Sequence, residues 1–122
     1  MKVDRFFVCL LIDFYGGLLT PNQREIMKLY YEDDLSLGEI AEEFGISRQA
    51  VYYTLKRGLN RLKRIEEKLG LVKRFIEHFT LFEEIKREID AVLNGLPYES
   101  RVKLEAILGK IDGLIERGDL LV

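Results

Sequence analysis

Tryptophan is absent from this 122-residue chain, histidine and cysteine occur once each, and there are only two prolines. A lone cysteine, Cys9, excludes a disulfide framework. A lone histidine, His78, with no second histidine and no thiol nearby, cannot complete a metal site, so neither metal nor cofactor is expected. Two prolines leave few helix breakers, and no stretch alternates polar and apolar residues as a strand does. The apolar run at residues 6–12 is far too short to cross a bilayer, and no signal peptide is recognisable. A cytoplasmic protein without membrane insertion is expected. There is no repeat and no low-complexity segment.

What is present is an ordinary globular composition, 48% hydrophobic and 33% charged. A chain of this length can bury roughly 65% of its unfolded surface, enough for a core without staples. The net charge of −2 conceals a division. Residues 1–46 carry 4 basic and 9 acidic side chains, residues 47–74 carry 9 and 2, and residues 75–122 carry 6 and 10. A segment of +7 therefore lies between segments of −5 and −4, and such local asymmetry steers a polyanion. A solvated helix face whose lysines pair with acids elsewhere would carry the same charges.

Helical spacing runs through the whole chain. Residues 3–15 form a first helix with an apolar stripe at positions 3, 6, 7, 10, 11 and 14. Gly16 and Gly17 end it by accepting a left-handed cap. Thr20-Pro21-Asn22-Gln23 opens a second helix as a capping box with proline at its first position. Its inward face is Ile26, Leu29 and Tyr30, and Asp33-Asp34 close it. Ser36 and Glu39 form a second capping box, for a short helix running to Phe44. After the break at Gly45-Ile46, Ser47 caps a helix of about 22 residues carrying Val51, Leu55, Leu59, Leu62, Ile65 and Leu69. Beyond Gly70 the stripe resumes through Val72, Ile76, Phe79, Phe82, Ile85, Ile89 and Val92. Asn94-Gly95-Leu96-Pro97 is a turn, and residues 98–116 form a last helix with Leu104, Ile107, Leu108, Ile111, Leu114 and Ile115 as its apolar set.

Residues 37–56 have the layout of a helix-turn-helix. Ala41 is small where the helices cross, and Gly45 can take the positive φ of the turn. Ile40, Phe44, Ile46 and Val51 are expected to share one core. That leaves Ser47, Arg48, Gln49, Tyr52, Tyr53 and Lys56 on the outward face of the second helix. Arginine forks onto guanine or phosphate, glutamine onto adenine, and tyrosine stacks or reaches a phosphate oxygen. Ser47 and the helix N-terminus offer amides to a phosphate. Arg57, Arg61, Lys63 and Arg64 add phosphate neutralisation. Helix pairs with a glycine turn also occur in domains that bind only protein.

Two strings, Asp13-Phe14-Tyr15-Gly16-Gly17-Leu18-Leu19-Thr20-Pro21-Asn22-Gln23 and the run from Leu29-Tyr30-Tyr31 through Ala41-Glu42-Glu43, resemble the YlxM family of small bacterial helix-turn-helix proteins. The likeness continues through Ser47-Arg48-Gln49-Ala50-Val51-Tyr52 and Lys56-Arg57, covers roughly residues 10–75, and extends more loosely into the helical tail. More distantly, residues 19–62 are similar to the promoter-reading fourth region of sigma factors. The resemblance implies a non-enzymatic protein of the signal recognition particle pathway, acting as a regulator, because members are usually encoded beside the particle's GTPase. Tyr53 stands where the family commonly has an aspartate, which makes this face less acidic and better able to stack. Tyr30, Tyr31, Asp33 and Asp34 belong to the shared string, where core filling and capping account for them equally well.

No catalytic constellation emerges. Cys9 lies on the apolar side of the first helix without a base, and the carboxylate pairs Asp33-Asp34 and Glu42-Glu43 have no histidine, metal cluster or phosphate loop beside them. The stripe from Leu55 to Val92 needs a cover, which the last helix supplies in part and a second copy of the chain can complete as a homodimer. Dimerisation would set two helix-turn-helix units at the fixed spacing of paired half-sites on duplex DNA.

The expected architecture is all-α. A sigma-region-4-like (or winged-helix-like) helix-turn-helix module at residues 1–69 precedes a helical hairpin at 70–122 that packs or dimerises. The expected function is non-enzymatic binding of nucleic acid, either duplex DNA or signal-recognition RNA. The alternative is a protein-interaction module docking its basic helix on an acidic partner such as the particle's GTPase.

Overall fold

The computed structural model describes residues 4–117. Six α-helices follow one another: α1 (Arg5–Tyr15), α2 (Pro21–Tyr31), α3 (Leu37–Phe44), α4 (Arg48–Leu69), α5 (Leu71–Leu93) and α6 (Tyr98–Arg117), with a 3₁₀ turn at Gly16–Leu18. The described residues contain no strand, and so no β wing of the winged-helix kind. The chain divides into two compact units, Met1–Val72 and Lys73–Val122.

In the first unit, α4 packs against α1, α2 and α3. Its core comprises Val8, Leu11, Ile12 and Tyr15 of α1, Ile26, Met27 and Tyr31 of α2, Ile40 and Ala41 of α3, and Val51, Leu55, Leu59 and Leu62 of α4, with Leu19 and Val72 completing it. Each large apolar side chain so buried contributes about 1.5–3 kcal/mol. The helix starts are chemically marked. Thr20 Oγ1 accepts from the Gln23 amide while Gln23 Oε1 accepts from the Thr20 amide, and Ser36 and Glu39 repeat the exchange at α3. Ser47 Oγ accepts from the Ala50 amide at the start of α4. Both expected capping boxes and the Ser47 cap are therefore present.

Several expectations change in the structure. The α1 stripe is rotated: Val8, Leu11, Ile12 and Tyr15 are buried, Phe7, Leu10 and Phe14 are half-buried, and Phe6 is 66% exposed. This helix is apolar almost all round, so spacing alone does not choose its inward side. Val3 lies outside the described residues. Gly16 does not adopt a left-handed cap; it stays right-handed at φ −57° and leads into the 3₁₀ turn. On α2, Met27 and Tyr31 are buried more deeply than Leu29 and Tyr30. The helix closes at Glu32, and Asp34, at φ 60°, forms an ion pair with Arg5. Ile46 belongs to the turn itself and is 39% exposed rather than in the core. Leu69 is exposed because the core contributed by α4 ends at Ile65.

One polar node ties the end of α4 to α1. Tyr15 Oη donates to Glu66 Oε1 at 2.6 Å and accepts from the Leu71 amide at 3.2 Å. The Val72 amide donates to the same Glu66 oxygen at 3.0 Å. Two first-turn amides of α5, which have no partner within their own helix, are satisfied in this way. Gly70, in the left-handed conformation at φ 65°, ends α4, its amide donating to the Glu66 carbonyl.

The second unit is a helical hairpin. The amides of Gly95 and Leu96 donate to the carbonyls of Val92 and Leu93, which closes α5 into the expected turn. Lys86 Nζ then bridges the two helices to Asp112 at 2.7 Å. That hydrogen bond, ahead of burial acting in the opposite sense, holds the Lys86 ammonium above its ordinary pKa. The inward face differs from the expected stripe. Leu93 is buried, Phe82, Ile85 and Ile89 are half-buried, and Ile76, Phe79 and Val92 are exposed. On α6, Leu108 is buried and Ile107 is exposed. The true stripe steps from Ile89 to Leu93 by four residues rather than to Val92 by three, which keeps it aligned with the 3.6-residue turn.

Candidate nucleic-acid interface

Three devices shape the outward face of the helix-turn-helix. Ile46 N donates to Ala41 O at 3.0 Å and Gly45 N to Glu42 O at 3.4 Å, a double closure of α3 that works because Gly45 sits at φ 65°. Ser47 then takes an extended conformation and caps α4. Burial of Ile40, Ala41, Val51 and Leu55 fixes the crossing of the two helices. The outward side of α4 is set by what remains. Ser47, Arg48, Gln49, Tyr52, Tyr53 and Lys56 are all exposed. Tyr52 and Tyr53 meet edge to face with ring centroids 5.8 Å apart, which puts two phenols side by side.

Arg48 is placed in a way the spacing did not show. A Cβ built on Gly38 would lie 3.1 Å from Arg48 Nε and 3.2 Å from Nη2, so the guanidinium lies across the first turn of α3. Glycine at position 38 makes the room. Arg48 thus lies over the other helix of the pair.

The remaining basic residues divide. Arg57, Arg61 and Arg64 line a cleft of about 360 Å³ with Asn60 of α4 and Gln23 of α2. Lys63 is half-buried and does not line it. The basic run is therefore two surfaces: an exposed polar face on the N-terminal half of α4, and an arginine cleft between α2 and the C-terminal half. Gln23 and Asn60 escaped the reading of the sequence as site residues. For Asn60 the available signal was its four-residue step from Lys56, beside that from Arg57 to Arg61, on one side of α4; for Gln23, on α2, the sequence offered none.

Other candidates settle into structural roles. Cys9 Sγ donates to Tyr31 O at 3.5 Å, and burial, with smaller contributions from neighbouring acids, pushes its thiol above the ordinary pKa. Such a thiol is a poor nucleophile. Among the described residues no group of three or more His, Cys, Asp or Glu side chains is placed to hold a metal, and no helix is long and apolar enough to cross a membrane.

A glycine-turned helix pair, a capped second helix and an exposed polar face on that helix define a helix-turn-helix protein. A family model described as "Putative helix-turn-helix protein, YlxM / p13 like" (UPF0122) matches residues 3–94. The chain belongs to this family, which is of the regulatory helix-turn-helix type and is not an enzyme family. Its relatives include a UPF0122 protein of Thermoanaerobacter sp. (strain X514), 53% identical over 92 residues that cover 75% of this chain and 79% of the relative. UPF0122 proteins of Acetivibrio thermocellus and Desulforamulus reducens are 44% and 46% identical, the former across 88% of this chain and 92% of its own length, the latter across 91% and 93%.

Proposed function

We propose that the protein is a non-enzymatic, cytoplasmic regulator that binds nucleic acid through the N-terminal half of α4. The observation that carries this reading is the exposed set Arg48, Gln49, Tyr52, Tyr53 and Lys56 on a helix whose opposite side is locked into the core. Arg48 and Gln49 read base edges or fix a phosphate, Tyr52 and Tyr53 stack or bond to phosphate, and Ser47 with the first amides of α4 receives a backbone oxygen. Lys56, Arg57, Arg61, Lys63 and Arg64 lower the repulsion between strand and protein. A place in the signal recognition particle pathway follows from the family resemblance, which makes signal-recognition RNA the first ligand to try. Pairing of two copies through the exposed Ile76, Phe79 and Val92 would present two reading helices at once.

The test is titration of signal-recognition RNA and of random duplex DNA over a range of salt. Neutralising about six phosphates on a duplex gives a slope of log affinity against log salt near −5. Arg48→Ala and Gln49→Ala should erase sequence discrimination on DNA, whereas Tyr52→Ala and Tyr53→Ala should weaken RNA more, since unpaired bases stack on aromatic rings. Absence of salt-dependent binding to either nucleic acid overturns the reading and leaves docking on an acidic protein such as the particle's GTPase.

A further inference from the structure

The arginine cleft is chemically unlike the reading face. Arg57, Arg61 and Arg64 bring three permanent positive charges to one concavity, and the described residues form no ion pair with any of them. Grouping like charges without counter-charge opposes folding, and the arrangement becomes favourable once an anion sits among them. The two other lining residues are amides. Gln23 Oε1 accepts from the Thr20 amide at 3.4 Å, and its NH₂ group is a donor with no partner in that exchange. Asn60 adds a second amide. The lining named here has no carboxylate, no aromatic ring and no aliphatic side chain. What apolar surface the cleft has comes from arginine stems and amide carbons, so its distinguishing chemistry is its nitrogen donors. Guanidinium forks match phosphate oxygens two at a time. The volume, about 360 Å³, exceeds what a single phosphate needs.

We propose that the α2–α4 cleft is a binding site for adjacent phosphate groups, separate from the base-reading face. Its rigidity comes from the packing beneath it. Gly58 faces Met27 with no room for a Cβ, so α2 and α4 approach closely and hold Gln23 opposite the arginines. Adjacent phosphates occur on a free polyphosphate or nucleotide and on a nucleic-acid backbone. Arg57 follows Tyr53 by one helical turn, so a strand on the reading face has a short route into the cleft.

The experiment uses the full chain, ¹⁵N-labelled, titrated with sodium tripolyphosphate while the side-chain amide signals of Gln23 and Asn60 are followed by NMR. Saturable shifts of both signals at sub-millimolar concentration are expected, with at least about tenfold weaker binding in Arg57→Gln/Arg61→Gln. The charge-matched variant Arg87→Gln/Lys103→Gln, with both changes in the second unit, should bind as the parent does. Thermal melts of the cleft variant, whose two substituted residues are exposed, confirm that it folds. Adding unlabelled duplex DNA or signal-recognition RNA then separates the sources. Competition for the same signals identifies a backbone phosphate, and undiminished tripolyphosphate binding identifies a free anion. No shift at Gln23 and Asn60, or equal weakening in the two double variants, overturns the proposal. Because the probe is a free anion, that outcome is distinct from failure of nucleic-acid binding at the reading face.

Discussion

Helices α1 to α4 gather thirteen of the fifteen buried apolar side chains of the first unit around one centre, whereas the described part of residues 73–122 buries only Leu93 and Leu108. Both units are made of amphipathic helices, so helix propensity does not separate them. The number of partners per helix does. Helix α4 meets three neighbours and buries Val51, Leu55, Leu59 and Leu62 among them, while a two-helix hairpin covers one stripe on each helix and leaves Ile76, Phe79, Val92 and Ile107 exposed. The exposed polar face of α4 from Ser47 to Lys56 therefore stands on a well-packed base.

The largest effect expected from this contrast is in the cores. Leu55 is fully buried beneath the reading face, and Leu55→Ala should cost about 3–4 kcal/mol, within the range of buried leucine truncations. Leu108 lies at the edge of burial, and Leu108→Ala should cost about half as much. Chemical denaturation of the two variants measures both. Equal losses would erase the distinction between the units.

The same contrast explains what could be read from the chain in advance. Capping boxes at Thr20 and Ser36, the Ser47 cap, the turn at Gly45 and the end of α4 at Gly70 are each specified by a few neighbouring residues, and all are present. The exposed set from Ser47 to Lys56 was legible because polar residues at helical spacing opposite an apolar stripe have one stable orientation. Long-range facts were not legible. The rotation of α1, the tuck of Arg48 over Gly38 and the grouping of Gln23 with Arg61 depend on which helix lies beside which. In α5 the apolar residues are too many for spacing to choose between Val92 and Leu93.

Next in size is the node that closes the first unit. Tyr15→Phe removes a donor to Glu66 and the acceptor of the Leu71 amide, and should cost about 2 kcal/mol. Burial, then the hydrogen bond to Glu66, raises the Tyr15 pKa, and burial raises that of Tyr31. The unfolded phenols ionise near pH 10. Above that pH the unfolded chain loses protons that the folded chain keeps, so stability present at lower pH is lost progressively as pH rises through the folded values. Melting temperature should therefore fall above about pH 10, and less steeply in Tyr15→Phe. Parallel slopes for the two proteins would remove Tyr15 from this account.

Glycine-to-alanine exchange gives the smallest effects but opposite signs in the two units. Within a helix, alanine is favoured over glycine by about 1 kcal/mol. At Gly109 and Gly113 of α6 an added Cβ meets nothing within 4 Å, so each exchange should stabilise the protein by roughly that amount. Gly58 differs. Its Cβ would overlap the sulfur of Met27 and lie 3.3 Å from Met27 Cγ, and Met27 is fully buried, with no solvent to swing into. Overpacking of this kind costs about 1–3 kcal/mol, which outweighs the gain in propensity. Gly58→Ala should thus lower the melting temperature while Gly109→Ala raises it. The shift in α2 should also disturb Gln23 across the cleft, so its side-chain amide signal is a second readout that Gly109→Ala leaves unmoved. A stabilised Gly58→Ala variant would mean that α2 and α4 separate easily, and the cleft between them would then lack the rigid wall that a phosphate site requires.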